Sequence, residues 1–267
     1  MAADIRLVAL DLDGTLLNPQ NRVSEADAAA LRAVVAAGVR VVLATSRWYH
    51  AARRTAQQLG LEGPLICHNG ALVRGSDGGD ELLHLRIDGG LARQIGAHLD
   101  TLTGDAYVTV DDRTFVRPGG QRDWSRLPPD MELVSSIAGA VTTPPTAFLV
   151  FGREAVRSAV ELFRTYHDSE INLAEGFSES FPDYLNIVHA RANKGTALVA
   201  VCGALKIPPE ATMAMGDAAP DIPLLRAAGI GVAMGNAAPA VKEAAVAVAP
   251  ANDAGGVAWA LHHYVIG

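Results

Sequence analysis

The chain has 267 residues, 49% of them hydrophobic and 19% charged, which is enough apolar material for one large domain or two modest ones and excludes a disordered or fibrous chain. Its net charge of −7 disfavours nucleic acid or an anionic membrane as the main partner, although a metal ion and one or two lysines can reverse the field inside a single cleft. Cys67 and Cys202 lie in apolar runs, and no signal peptide or membrane span is legible, so a reducing, cytoplasmic location is expected.

Arg6–Leu10 reads as a short buried strand. Ser24–Ala37 has helical spacing, with Ser24 as N-cap, Asp27 three residues on and Gly38 as the stop. Val39–Ala44 is a second buried strand, Tyr49–Leu59 a helix ending at Gly60, and Pro64–Cys67 a third strand. This alternation predicts a parallel sheet with right-handed crossovers. From about Glu81 to His189 the pattern changes. Alternating runs such as Leu83–Ile87 and Tyr107–Val110 are separated by turn clusters at Pro118-Gly119-Gly120 and Pro128-Pro129-Asp130. With helical patches at Gly90–Leu102 and Arg153–His167, this predicts an antiparallel sheet with helices on one face. From Lys194 the first pattern returns. Helices are expected at Lys194–Leu205, Pro220–Ala228, Pro239–Ala245 and Gly255–His263, and strands at Thr212–Met215, Gly231–Met234 and Val246–Ala249. The expected architecture is a Rossmann-like, three-layer α/β core of residues 1–82 and 190–267, with an α+β unit inserted at 83–189.

The strongest chemical signal is Asp11-Leu12-Asp13-Gly14-Thr15, directly after the first strand. Side chains two apart on extended chain project together, and ligands of open α/β sheets bind at strand C-termini. Two adjacent carboxylates suit a hard divalent cation, or they are solvated acids of a loop. Thr45-Ser46-Arg47 ends the second strand and can hold a phosphoryl oxygen or cap the following helix. Lys194 opens a helix, where a cation opposes the macrodipole; an anionic partner would explain it, and so would solvation. Met215-Gly216-Asp217-Ala218-Ala219-Pro220-Asp221 supplies two more acids at a strand end, which can bind metal or cap the next helix, with Asp221 suited to both.

The order of these elements — acid pair, hydroxyl, lysine, acid pair — resembles the haloacid dehalogenase-like hydrolase superfamily. More narrowly it is similar to the Cof-type phosphatases, with their large type IIB cap. Cys67-His68-Asn69-Gly70-Ala71, Asn193-Lys194-Gly195, Gly231–Ala237 and Asn252-Asp253 with Gly256-Val257-Ala258 also look like that pattern. The resemblance implies a phosphatase acting on a small phosphomonoester, such as a sugar phosphate, through an aspartyl-phosphate. Asp11 would be the nucleophile and Asp13 the acid and base. Thr45, Ser46 and Lys194 would hold the phosphoryl oxygens. Mg²⁺ would be bound by Asp11, the Asp13 main-chain carbonyl, Asp217 and Asp221. Arg47 and Asn69 would contact substrate, and the inserted cap would supply specificity.

Two residues depart from the family pattern: Pro220 stands where Asn is usual, and Ser46 where Gly is usual. They keep a second reading open, a catalytically weak relative that binds a phosphorylated ligand. A phosphomutase is a third, and monomer and homodimer are both open. Trp48-Tyr49-His50 is read as helix-start packing. His68 ranks behind Asn69 as a contact, and His262-His263 reads as a solvated helix end. Arg122, Trp124, Arg126 and Tyr184 are substrate-reading candidates in the inserted unit.

Overall fold

The computed structural model describes residues 4–120, 123–166, 169–178 and 181–267. In chain order it opens with β1 (Leu7–Leu10), α1 (Glu25–Ala36), β2 (Arg40–Ala44), α2 (Tyr49–Leu59), β3 (Pro64–Cys67), β4 (Leu72–Gly75) and β5 (Glu81–His84). There follow α3 (Gly89–Leu99), β6 (Ala106–Val110), β7 (Arg113–Arg117), β8 (Met131–Leu133), α4 (Ile137–Ala140), β9 (Ala147–Phe151), α5 (Arg153–Phe163), β10 (Ile171–Ser178) and β11 (Phe181–His189). The chain continues through α6 (Lys194–Leu205), β12 (Thr212–Gly216), α7 (Ile222–Ala227), β13 (Ile230–Ala233), α8 (Pro239–Glu243), β14 (Ala247–Val248) and α9 (Gly256–Leu261). It divides into two compact units, Met1–Leu83 with Asn193–Gly267, and His84–Ala192.

The first unit is an α/β fold around one sheet of order β14-β13-β12-β1-β2-β3-β4-β5. From β14 to β3 every pair is parallel. The central strands are apolar throughout because both faces are covered. Alternate residues of β1 serve different layers: Val8 and Leu10 face the core shared with Leu31, Val34 and Ala52 of α1 and α2. Leu7 and Ala9 face the core shared with Leu198 and Val201 of α6 and Leu224 of α7. Helix ends follow the sequence signals. Ser24 caps α1 by accepting from the Asp27 N–H, and Gly60 closes α2 in the left-handed region.

The second unit holds a six-stranded sheet of order β10-β11-β9-β6-β7-β8. Its pairs are antiparallel except β7 with β8, which is parallel. Phe148, Ile95, Leu99, Ile137 and Ile171 fill its own core.

Three expectations need correction. The strand read at Leu83–Ile87 is instead Glu81–His84, and it joins the edge of the parallel core sheet, not the inserted one. Strand β4, unseen in the sequence, runs back antiparallel to β3. Three successive residues with positive φ, His68, Asn69 and Gly70, make that reversal. The helix read from Pro220 starts at Ile222, after a single 3₁₀ turn over Ala219–Asp221. Arg122 and His167 lie outside the described residues.

Asp27 is buried within α1, where its carboxylate accepts from the Ala258 N–H at 2.8 Å and the Ser24 hydroxyl at 2.6 Å. Asp27→Ala leaves the Ala258 donor buried without its partner and is expected to cost about 1–3 kcal/mol. A lowered urea midpoint at unchanged slope checks this.

Candidate active site

Strands β1, β2, β3 and β12 are neighbours and parallel, so the segments leaving their C-terminal ends converge. Asp11 follows β1, Thr45 follows β2, His68-Asn69-Gly70 follow β3, and Asp217 follows β12. Lys194 is the first residue of α6, whose N-cap is Asn193, accepting from the Thr196 N–H. The candidate catalytic, phosphate-binding and metal-binding residues, with Arg47 and Asn69, all lie in the first unit.

The Lys194 ammonium is the hub. Its Nζ lies 2.6 Å from Asp11 Oδ1 and 2.5 Å from Asp221 Oδ1, with all three side chains buried. This supplies the anionic partner that a helix-opening lysine requires. Asp221 is not a side-chain cap of α7. Its second oxygen instead accepts from the backbone N–H groups of Asp217 and Ala218, at 3.0 and 2.9 Å. Pro220 sits within the 3₁₀ turn at the start of this helix, a position where a backbone N–H is commonly unused. Asp217 accepts from the Thr15 hydroxyl at 2.9 Å. A Cβ at Gly14, where φ is +84°, would collide with the Asp217 carboxylate.

Asp13 has a different partner. Arg47 grips its carboxylate through Nε at 2.8 Å and Nη2 at 2.5 Å. Thr45 does not cap α2, since that role falls to Trp48. Its buried hydroxyl accepts from the Arg47 N–H at 3.1 Å. Ser46 is half-buried. Asn69 is buried with both amide atoms unbonded, and its own N–H is tied to the Thr45 carbonyl at 3.1 Å. An amide closed off without a partner is costly, and a left-handed backbone beside it adds strain.

Two further residues escaped the sequence reading as site components. Asn236 donates to the Gly14 carbonyl at 2.8 Å, Asn252 donates to the Leu17 carbonyl at 2.7 Å, and the Asn252 N–H is held by Asn236 Oδ1. Together they clamp the loop carrying Asp11 and Asp13. Their sequence motifs were visible, but no local pattern shows what an asparagine reaches across the fold. Other residues singled out in the sequence have partners within their own units. Tyr49 donates to the Gly75 carbonyl, Trp124 rests against Tyr107, Tyr184 rests against Phe151, and exposed His263 stacks on Trp259. Arg126 is exposed.

The electrostatics carry the chemical argument. Asp11, Asp217 and Asp221 each offer an oxygen within 4.8 Å of the others. Burial, then Asp221, push the Asp11 carboxyl well above its usual range despite the opposing Lys194. Burial and Asp221 likewise push Asp217 up to about 7. Burial alone would lower the Lys194 ammonium, but Asp11 and Asp221 hold it above its ordinary value. One ammonium thus leaves the acid cluster short of positive charge. An all-oxygen set of this kind fits a hard divalent cation, held by Asp11 and Asp217 with Asp221 beside them.

Comparison with known proteins agrees with this geometry. Residues 8–261 match the model of the haloacid dehalogenase-like hydrolase family. The phosphatase YwpJ of Bacillus subtilis is 30% identical over 97% of this chain and 99% of its own. The 5-amino-6-(5-phospho-D-ribitylamino)uracil phosphatase YcsE of the same organism is 30% identical over 98% and 97%. A solved haloacid dehalogenase-like hydrolase from B. subtilis superposes with a TM-score of 0.84 at 27% identity, covering 98% of this chain and all of that one. Among the described residues no helix is long and apolar enough to cross a membrane.

The raised carboxyls fix the sign of a pH effect. The folded chain keeps a proton on Asp217 up to about pH 7, whereas an unfolded chain releases it near about pH 4. Folding therefore takes up protons in that interval, and this contribution to stability falls as pH rises through 7. In chelator, the melting temperature is expected to drop from pH 5.5 to pH 8, and Asp217→Asn is expected to flatten the slope. Mg²⁺ should raise the melting temperature more at pH 8 than at pH 5.5, as scanning calorimetry can check.

Proposed function

The chain belongs to the haloacid dehalogenase-like hydrolase family, and from that premise we propose that it is a Mg²⁺-dependent phosphatase acting through a phospho-Asp11 intermediate. That it is a phosphatase of this superfamily follows from the family match and the relatives together. The finer reading is supported above all by the buried Asp11–Lys194–Asp221 constellation beside Asp217.

Phosphoryl transfer asks for alignment and charge neutralisation more than for elaborate covalent chemistry. An Asp11 carboxylate oxygen attacks phosphorus, and the ester P–O bond breaks. Asp13 gives its proton to the departing alkoxide, which leaves as an alcohol. The same Asp13, now a carboxylate, takes a proton from water. That water's oxygen attacks phosphorus, releasing inorganic phosphate and restoring Asp11. Splitting one hydrolysis in two in this way is what a carboxylate nucleophile provides. Lys194 and Thr45 hold phosphoryl oxygens, and Ser46 lies beside them. Asp11, Asp217, Asp221 and the Asp13 carbonyl would hold Mg²⁺, which would supply the remaining positive charge. Asn69, with its unbonded amide, is a substrate contact in this reading.

The substrate class is a small phosphomonoester such as a sugar phosphate, and its selection is assigned to the inserted α+β unit. A cytosolic setting accords with the two buried free thiols, Cys67 and Cys202.

Release of phosphate from p-nitrophenyl phosphate should require Mg²⁺ and vanish in chelator. Asp11→Asn should lower turnover by at least about 1,000-fold with the fold intact, as removal of a nucleophile does. Chelator-resistant activity, or an active folded Asp11→Asn protein, would refute the reading.

A further inference from the structure

We propose that Arg47 is a positioning residue for proton transfer: its guanidinium fork fixes the Asp13 carboxylate where a leaving oxygen must receive its proton. The inference rests on the reading of Asp11 as nucleophile and Asp13 as acid and base.

Arg47 is itself anchored at three points. Its N–H donates to Thr45 Oγ1 at 3.1 Å, its carbonyl accepts from the His68 N–H at 3.0 Å, and its guanidinium spans Asp13. The backbone of the two segments leaving β2 and β3 therefore fixes the base of the side chain. Two parallel bonds, Nε to Oδ2 and Nη2 to Oδ1, define the plane of the Asp13 carboxylate as well as its position. A single donor would leave that plane free to rotate. From the other side Asp13 is steadied by its neighbour Gly14, whose carbonyl Asn236 holds. The Asp13 carboxylate is no part of the set of side-chain oxygens of Asp11, Asp217 and Asp221 that can bracket a cation.

Exposure separates the two acids as well. The Asp11 side chain is 6% exposed, whereas Asp13 keeps 35% and Arg47 26%. Asp13 is thus reachable by a leaving group or a water while its orientation is fixed. General acid–base catalysis depends on such placement, since the proton must travel along one hydrogen bond. An arginine held this way need not touch the substrate phosphate, which distinguishes it from Thr45 and Lys194.

The test compares two leaving groups on nearly the same substrate. Nitrophenolate departs from p-nitrophenyl phosphate without a proton, while phenoxide from phenyl phosphate needs one. The ratio kcat/KM reports every step through the first departure. In Arg47→Ala and Arg47→Lys, kcat/KM for phenyl phosphate is expected to fall at least tenfold more than for p-nitrophenyl phosphate. Lysine should not rescue, because it keeps the charge and loses the fork. Circular dichroism and the melting temperature establish that both variants are folded, and if alanine is not, the lysine variant decides. Equal losses on both substrates, carried by KM, would make Arg47 a phosphate contact and overturn the proposal, as would no loss at all. Asp11→Asn is run alongside. If it retains activity, the underlying mechanism fails; if it is dead while the Arg47 ratio stays flat, only the positioning role fails.

Discussion

The arrangement depends on one buried ammonium. Bringing Asp11, Asp217 and Asp221 together out of water is unfavourable twice over, through lost hydration and through mutual repulsion. Lys194 offsets part of both by bonding Asp11 and Asp221 at once. It can do so because it opens α6 with Asn193 already capping the helix, so its side chain is left to face the acids. The geometry follows from the sheet: a parallel α/β layer presents every strand C-terminus on one edge, and α6 covers the face next to it. What the lysine leaves uncompensated is the electrostatic basis for a cation.

Around this hub the acids are not interchangeable. Asp11 meets the ammonium, Asp217 meets the Thr15 hydroxyl, Asp221 meets both the ammonium and two backbone donors, and Asp13 meets a guanidinium. Four carboxylates of the same intrinsic chemistry are thereby given four environments. Sites that divide different tasks among carboxylates are built on such differences of environment.

Much of the core was legible because its signals are local. The limits of α2 and α6 coincide with the sequence reading; Gly60 marked the stop of α2, whereas the cap that Asn193 provides for α6 emerges only from the fold. The buried strands betrayed themselves by unbroken apolar runs. The acids, Thr45 and Lys194 were found through their places at strand ends and a helix start. The misses share a cause. Strand β5 has the same alternation whether it joins one sheet or another, so its allegiance is decided by the fold. The turn at His68-Asn69-Gly70 uses a left-handed backbone at two residues that do not demand it. The Arg47–Asp13 fork and the Asn236–Asn252 clamp join residues far apart in sequence, and neither spacing nor propensity encodes such contacts.

That clamp bears on how the molecule comes into being. Asn252 reaches the Leu17 carbonyl across 235 residues, and β1 lies between β2 and β12, one strand of which is made early and the other late. Contacts of such separation form slowly and only when both ends exist. During translation the ribosome therefore releases Asp11 and Asp13 long before Lys194, Asp217 and Asn236 emerge. The inserted unit, whose strands pair among themselves, has all its partners at hand sooner. The nascent polypeptide carries these acids apart from their lysine until synthesis is nearly finished, so the buried cluster comes together in one late step.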